Sequence, residues 1–360
     1  MKKAMIAMSG GVDSSAAAYL MKEEGYQCVG VTMKLFDGGE RAPGQKTCCS
    51  LEDVEDARSA AYRLGMPYYV FNYKEAFEQK VIKKFADSYV CGKTPNPCID
   101  CNRYLKFDAL LSRAGVLGMD CLATGHYARI VFDRERGRYL LKKGMDETKD
   151  QSYVLFRLTQ EQLSKIRFPL GNYRKSQIRE IARSQGFENA DKEESQDICF
   201  VPGGDYASFI ERYTGKSFPE GDFITIDGKI LGKHRGIIRY TEGQRRGLGI
   251  SSAEPLYVCG RRPESNQVVV GPEEALLTRT VYLEDVNLIS AEEIGKPIRC
   301  GVKIRYRQPE QWAVAEPLGK EGLKITFDVP QRAPAPGQAA VLYDGDTVIG
   351  GGSICLEGRR

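Results

Sequence analysis

This sequence contains no apolar run approaching the roughly 20 residues needed to cross a bilayer. Its opening stretch, MKKAMIAMSGGVDSS, carries two lysines, but the apolar run behind them ends after five residues, at Ser9. That is too short for the core of a secretory signal. No membrane association is expected, and the chain is expected in the cytoplasm, where thiols stay reduced. The eleven cysteines therefore do not read as a disulfide framework; most should pack and a few should react. A large excess of one charge is also missing. The formal net charge of +4 fits an ordinary soluble protein and does not by itself demand a nucleic acid. Repeats and low-complexity segments are absent as well. With 42% apolar and 28% charged residues, the 360-residue chain can build two or three globular domains.

The first third alternates strand and helix. KKAMIAM (2–8), QCVGVTM (27–33), YYVF (68–71) and DCLATG (120–125) read as strands. SSAAAYLMKEEG (14–25), LEDVEDARSAAYRLG (51–65), EAFEQKVIKKFADSYVCG (75–92) and FDALLSRAG (107–115) read as helices, the first two closed by Gly25 and Gly65. Strands separated by helices predict a parallel sheet covered on both faces, an α/β fold. After about residue 205 the pattern changes. Asp227-Gly228 sits between two short strands, a hairpin signal. From about residue 278 only short, regularly spaced strands remain, which predicts a small β-barrel. The expected division is 1–207 for the α/β domain, 208–274 for a small central β-rich domain and 275–360 for the C-terminal β-barrel.

SGGVDSS (9–15) directly follows the first strand and opens the first helix. Gly10 and Gly11 let the backbone turn tightly and approach a ligand. The free N–H groups and dipole of a helix start favour phosphate. Asp13 is unexpected beside an anion unless it orients the loop or helps hold magnesium. The GxxxxGK[ST] pattern is absent, so this is not a Walker loop.

The loop resembles the PP-loop of the ATP pyrophosphatases, which cleave ATP between the α- and β-phosphates to adenylate a substrate. Six further motifs follow in order: KTPNPCIDCNRYLKF (93–107), ATGHYAR (123–129), KDQSYVL (149–155), FPLG (168–171), SQDICFV (195–201) and EGQRRGLGI (242–250). Together they resemble the tRNA-specific 2-thiouridylase (MnmA) branch over nearly the whole chain. The resemblance implies a PP-loop domain of the adenine-nucleotide alpha hydrolase type, a central domain and a C-terminal barrel. It implies ATP with Mg2+ as cosubstrate, a tRNA with a modifiable wobble uridine as partner, and a protein that donates persulfide sulfur. The chemistry is consistent with the residues. Replacing an oxygen on uracil C2 by sulfur needs a better leaving group, which adenylation supplies, and a thiolate or persulfide nucleophile.

Carried over by motif, the resemblance implies that Cys199 bears the persulfide. Cys101 would be its nucleophilic partner, able to close a disulfide with it. It implies ATP contact for Ala7, Met8, Ser9, Gly10, Gly11, Val12, Asp13, Ser14, Met33 and Gly125. It implies tRNA contact for His126, Lys149, Asp150, Gln151, Arg305, Tyr306 and Gln338. Each has a plainer reading from the residue alone. Met33 and Cys199 could be core, His126 a packed imidazole, and Lys149–Gln151 a solvated loop. Cys28, Cys91, Cys121, Cys259, Cys300 and Cys355 read as structural; the Cys48-Cys49 pair has no assigned role. A PP-loop amide ligase and a noncatalytic RNA-binding protein are the alternatives. The thiols argue against the first and the intact loop against the second.

Cys98 departs from the family pattern, which has an aspartate there, a proposed acid–base group. One reading leaves Cys98 as a spare thiol beside persulfide chemistry on Cys101 and Cys199. The other has Cys98, Cys101 and Cys199 hold a [4Fe–4S] cluster with one open iron; a Cys₃ zinc site is a lesser rival. The persulfide route is favoured because it needs only groups the sequence already displays.

Overall fold

The computed structural model describes residues 1–36, 51–192, 198–319 and 321–355. Cys48, Cys49 and the Ser195–Asp197 part of SQDICFV lie outside the described residues.

Strands β1 (Lys3–Ala7), β2 (Gln27–Lys34), β3 (Tyr68–Asn72) and β4 (Cys121–Thr124) are apolar, short and joined through helices. A hairpin, β5 (Ala128–Asp133) and β6 (Arg138–Lys143), follows, and then the two-residue β7 (Ile166–Arg167). Strands β1–β4 and β7 form one parallel sheet in the order β3-β2-β1-β4-β7. Strand order reverses between β1 and β4, and ligands of open α/β sheets bind at the carboxyl ends of such a pair. Helix α1 (Val12–Glu23) packs closely because Ala16, Ala17 and Ala18 are fully buried and add little bulk.

Just before Cys98, a helix running over 97–116 begins at Pro97. The side chain of Asn96 accepts from Cys98 N at 3.1 Å, and Pro97 takes the first helical position, where its missing N–H costs nothing. Wider π-type turns cover Cys101–Leu110. Pro95-Asn96-Pro97 is thus a cap, and it puts Cys98 and Cys101 one turn apart on one helix.

Strands β8 (Gly221–Thr225), β9 (Ile230–His234), β10 (Tyr257–Arg262) and β11 (Gln267–Gly271) form the central sheet, order β10-β11-β8-β9. The Asp227-Gly228 turn joins β8 to β9, with Gly228 at φ 90°. Strands β12 (Leu277–Leu288), β13 (Ile298–Lys303), β14 (Gln311–Leu318), β15 (Gly322–Arg332), β16 (Ala339–Asp344) and β17 (Thr347–Cys355) form an antiparallel barrel. Pairing of β12 with β17 closes it. The β5–β6 hairpin adds to this barrel through β6 and β17, a cross-link the sequence pattern did not announce. One apolar core runs from Met5 and Phe85 through Phe223 to Val341, so the three sheets share an interior.

Candidate active site

The glycine loop lies at the carboxyl end of β1. Gly10 has φ 77°, and a Cβ there would collide with the carbonyl of Asp53. Side chains tie the loop from several directions. Ser14 Oγ accepts from Ser9 N at 3.1 Å and donates to Gly11 O at 2.9 Å. Asn189 Nδ2 donates to Gly10 O at 2.9 Å and to Ser15 Oγ at 3.0 Å. Thr32 Oγ1 donates to Met8 O at 2.7 Å. Ala7 is half-buried, Met8, Gly10, Val12 and Ser14 are buried, and Ser9 is exposed at the mouth.

Asp13 does not face a phosphate unaccompanied. Lys175 Nζ bridges its two carboxylate oxygens at 2.7 and 2.8 Å, and the Tyr127 hydroxyl donates to Oδ1 at 2.7 Å. The lysine ammonium offsets the charge that made an aspartate unexpected beside an anion. Lys192 forms a second bridge, to Asp53 at 2.8 Å and Asp56 at 2.5 Å, on the helix that Gly10 abuts. Sequence reasoning missed Lys175, Tyr127, Asn189 and Lys192. Tyr127 stands inside ATGHYAR and Lys175 four residues past FPLG, so position within the motifs was the available signal.

At the end of β4, Gly125 lies against α1. A Cβ there would come 2.8 Å from the Asp13 carbonyl carbon and 3.0 Å from Ser14 N. The next residue, His126, is 7% exposed. Its Nδ1 shares a 2.7 Å hydrogen bond with Thr124 Oγ1, and its ring packs 5.8 Å from Phe107 and 5.6 Å from Phe168. Burial, helped by nearby Lys106, holds its pKa well below the ordinary value, so the imidazole stays neutral. Asp150 is also buried and accepts from Gly144 N, Ser152 N and Ser152 Oγ, which makes it a turn-builder. Gln151 Oε1 accepts from Tyr127 N at 3.0 Å, and Lys149 N donates to Asp146 O at 3.0 Å. Met33 is 9% exposed at the end of β2, within the core.

Cys101 and Cys199, almost a hundred residues apart in sequence, are both half-buried and pack against the same apolar core. Phe200 fixes the second segment. Its ring lies 5.6 Å from Phe77, 5.3 Å from Phe85 and 5.3 Å from Phe209. Cys98 is exposed. Among the described residues no group of three or more His, Cys, Asp or Glu side chains is placed to hold a metal ion. Cys98 is thus more exposed than the half-buried Cys101 and Cys199. Asp100, between the cysteines, is buried and bonded to Lys84 at 2.6 Å; burial raises its pKa, and Lys84 opposes that rise. Cys28, Cys121 and Cys300 are buried as expected, and burial pushes the Cys28 thiol up to about 11. Cys91 is not: it caps the C-terminus of its helix, just before Gly92, and is exposed.

The barrel residues assigned to RNA lie at the seams between sheets. Arg305 Nη2 donates to Ala333 O at 2.9 Å and Glu242 O at 3.3 Å. Tyr306 is half-buried with its ring 6.0 Å from that of Tyr153. Gln338 Nε2 donates to Thr94 O at 2.8 Å. The second histidine, His234, is structural, with Nδ1 accepting from Gly236 N and Nε2 bonded to Asn266 O.

A parallel sheet with a glycine loop at its reversal of strand order defines a nucleotide-binding α/β protein of the PP-loop class. Comparison narrows this. A family model described as the tRNA methyl transferase HUP domain matches residues 2–203. The tRNA methyl transferase PRC-barrel domain matches 207–272, and the aminomethyltransferase beta-barrel domain 278–354. The chain is 49% identical to the tRNA-specific 2-thiouridylase MnmA of Carboxydothermus hydrogenoformans, over 98% of this chain and 97% of that one. It is 48% identical to that of Clostridioides difficile, over 98% of both. A solved 4-thiouridine synthetase–RNA complex with bound ATP is 19% identical and covers 59% of this chain and 50% of that one, at a TM-score of 0.38. The chain belongs to the tRNA-specific 2-thiouridylase MnmA family.

Proposed function

We propose that this chain replaces the C2 oxygen of the wobble uridine of tRNA by sulfur, using ATP to activate that oxygen. Family membership makes it an enzyme, a tRNA-uridine 2-sulfurtransferase. ATP, with magnesium carried on its phosphates, lies over the glycine loop, between the α1 N-terminus and Gly125. The uridine oxygen attacks the α-phosphorus, releasing pyrophosphate and leaving AMP on C2. The terminal sulfur of a Cys199 persulfide then attacks C2, and AMP departs with the C2–O bond. The Cys101 thiolate attacks Cys199 Sγ, leaving the outer sulfur on uridine as the thiocarbonyl and closing a Cys101–Cys199 disulfide. A thiol reductant supplies two electrons to reopen it, and a persulfide-bearing donor protein reloads Cys199. Such thiol chemistry suits a reducing, cytoplasmic setting.

The RNA face comprises His126, Lys149–Gln151, Arg305, Tyr306 and Gln338. Arg305 contacts phosphate through guanidinium nitrogens other than Nη2, and the buried His126 and Asp150 shape the loop that carries Lys149. The observation that carries the reading is that two cysteines distant in sequence share one core beneath a PP-loop sheet.

The test is single-turnover thiolation of unmodified tRNA by persulfide-loaded enzyme, followed by mass spectrometry of the nucleosides. Cys101→Ser and Cys199→Ser should each lose 2-thiouridine while still releasing pyrophosphate. Wild-type product from either variant refutes the sulfur route. Loss of pyrophosphate release in both would place the cysteines in the ATP step instead.

A further inference from the structure

Thr94 sits four residues before Cys98, and each of its polar groups bonds to another part of the fold. Its N–H donates to Pro336 O at 2.7 Å, and its carbonyl accepts from Gln338 Nε2 at 2.8 Å; both partners precede β16 of the barrel. Its hydroxyl donates to Glu242 Oε2 at 3.2 Å and accepts from Arg261 Nη2 at 2.8 Å, both in the central unit. Arg261 Nη2 also reaches Glu242 Oε2 at 3.1 Å, and Nε reaches Oε1 at 3.4 Å. The Arg261 side chain is 0% exposed and that of Glu242 7%, so the ion pair is out of water. Gly337 lets the barrel loop close on this point, since a Cβ there would lie 3.0 Å from Lys93 Cβ and 3.2 Å from Thr94 N. Two residues beyond Thr94, Asn96 caps the helix that carries Cys101.

A buried ion pair is a costly way to join domains, and apolar residues of the same volume would serve cohesion as well. What directional bonds add is a defined position. The hydroxyl bonds both charges two residues before the helix cap. We propose that Thr94, oriented by Glu242 and Arg261, is a positioning residue for Cys101. It sets the start of the cysteine helix against the central unit and barrel, so that the thiol meets its sulfur partner in line. This inference rests on the sulfur-transfer role of Cys101 proposed above.

Three variants of the full chain test it: Thr94→Val, which keeps shape and removes the hydroxyl; Thr94→Ser, which restores it; and Cys101→Ala as reference. Thr94→Val should slow single-turnover thiolation about tenfold or more, the scale of a small misplacement of reacting groups. Pyrophosphate release and tRNA affinity should stay at wild-type values, and Thr94→Ser should recover the thiolation rate. If Thr94→Val does not fold, Glu242→Gln takes its place under the same criteria. Unchanged thiolation in the hydroxyl-less variant overturns the inference. So does a parallel loss of pyrophosphate release and thiolation, or no recovery in Thr94→Ser, because each marks a general structural role. If Cys101→Ala is inactive while Thr94→Val is normal, only the positioning role falls. If Cys101→Ala still thiolates, the sulfur-transfer reading falls and takes this inference with it.

Discussion

The glycine loop and the cysteine helix are held in place by different means. The loop is held by its own backbone and by neighbours on the same α/β sheet: Gly10 in the left-handed region, Ser14 back-bonding to Gly11, and Lys175 on Asp13. The cysteine helix is held from outside. Its cap region bonds to the central unit and the barrel through Thr94, while Arg103 on the helix pairs with Asp285 of the barrel at 3.2 Å. Arg157 reinforces that seam, donating to Asp285 at 2.9 Å and to Ser353 Oγ at 3.0 Å. Phosphate binding needs a local shape that a strand–turn–helix unit supplies alone. The proposed sulfur transfer calls for thiols from two segments and an RNA base in line, which only packing between distant segments can arrange.

The largest expected effect attacks the first half of that contrast. Asp13→Ala or Lys175→Met should lower pyrophosphate release about 10²-fold or more, the scale of losing one preorganised charged group. Folding should survive, because neither side chain belongs to the apolar core. Normal pyrophosphate release from a folded Lys175→Met enzyme would show that the loop does not depend on this pair. The second half is sharpened by Arg305→Ala and Tyr306→Ala. Each should weaken tRNA binding by about 1–2 kcal/mol, as loss of a phosphate or stacking contact does, and leave ATP affinity unchanged. Affinity should also fall steeply with salt as counterions are released. A flat salt dependence, or a selective loss of ATP binding, would erase the division of labour.

His126 lies between the two regions, and its effect is smaller. Burial excludes the imidazolium, so the unfolded chain binds a proton that the folded one does not. Stability is therefore full above the ordinary value of 6.5 and falls as pH drops through it. Melting curves of wild type and His126→Gln between about pH 7.5 and 5.5 should diverge, with the variant losing less on acidification. Equal slopes would mean that His126 carries no such penalty. The smallest effect is expected from Cys98→Asp. Because Cys98 is exposed and the proposed persulfide route needs only Cys101 and Cys199, thiolation should persist in the variant, and anaerobically purified wild-type protein should contain no stoichiometric iron. Stoichiometric iron together with an inactive Cys98→Asp would reverse that reading.

Legibility divides along the same line. The parallel sheet, the hairpin at Asp227-Gly228 and the terminal barrel followed from apolar spacing and turn residues, because those signals are local. Pro95 and Pro97 look like breakers, yet Pro97 opens the helix over 97–116. Whether a proline breaks a helix or begins one depends on the cap before it, here Asn96. Cys91 was grouped with packing cysteines from the apolar helix it ends, yet a residue at the helix terminus leaves the buried face. Lys175 gave no chemical signal of its own, since a lysine after a tight turn is ordinarily solvated.

What the sequence by itself determined is the set of local shapes: a strand running into a glycine turn and a helix, strands of barrel length, and thiols in named motifs. The tertiary structure alone decided which of these meet. It brought Cys199 beside the core that carries Cys101, and it put Lys175 on Asp13 from 162 residues away. It also locked Thr94 to Glu242 and Gln338 across separations of 148 and 244 residues. Short-range conformational preferences are set within a few residues, whereas a buried polar partner is chosen by the packing of the whole chain, where an unpaired group would be costly.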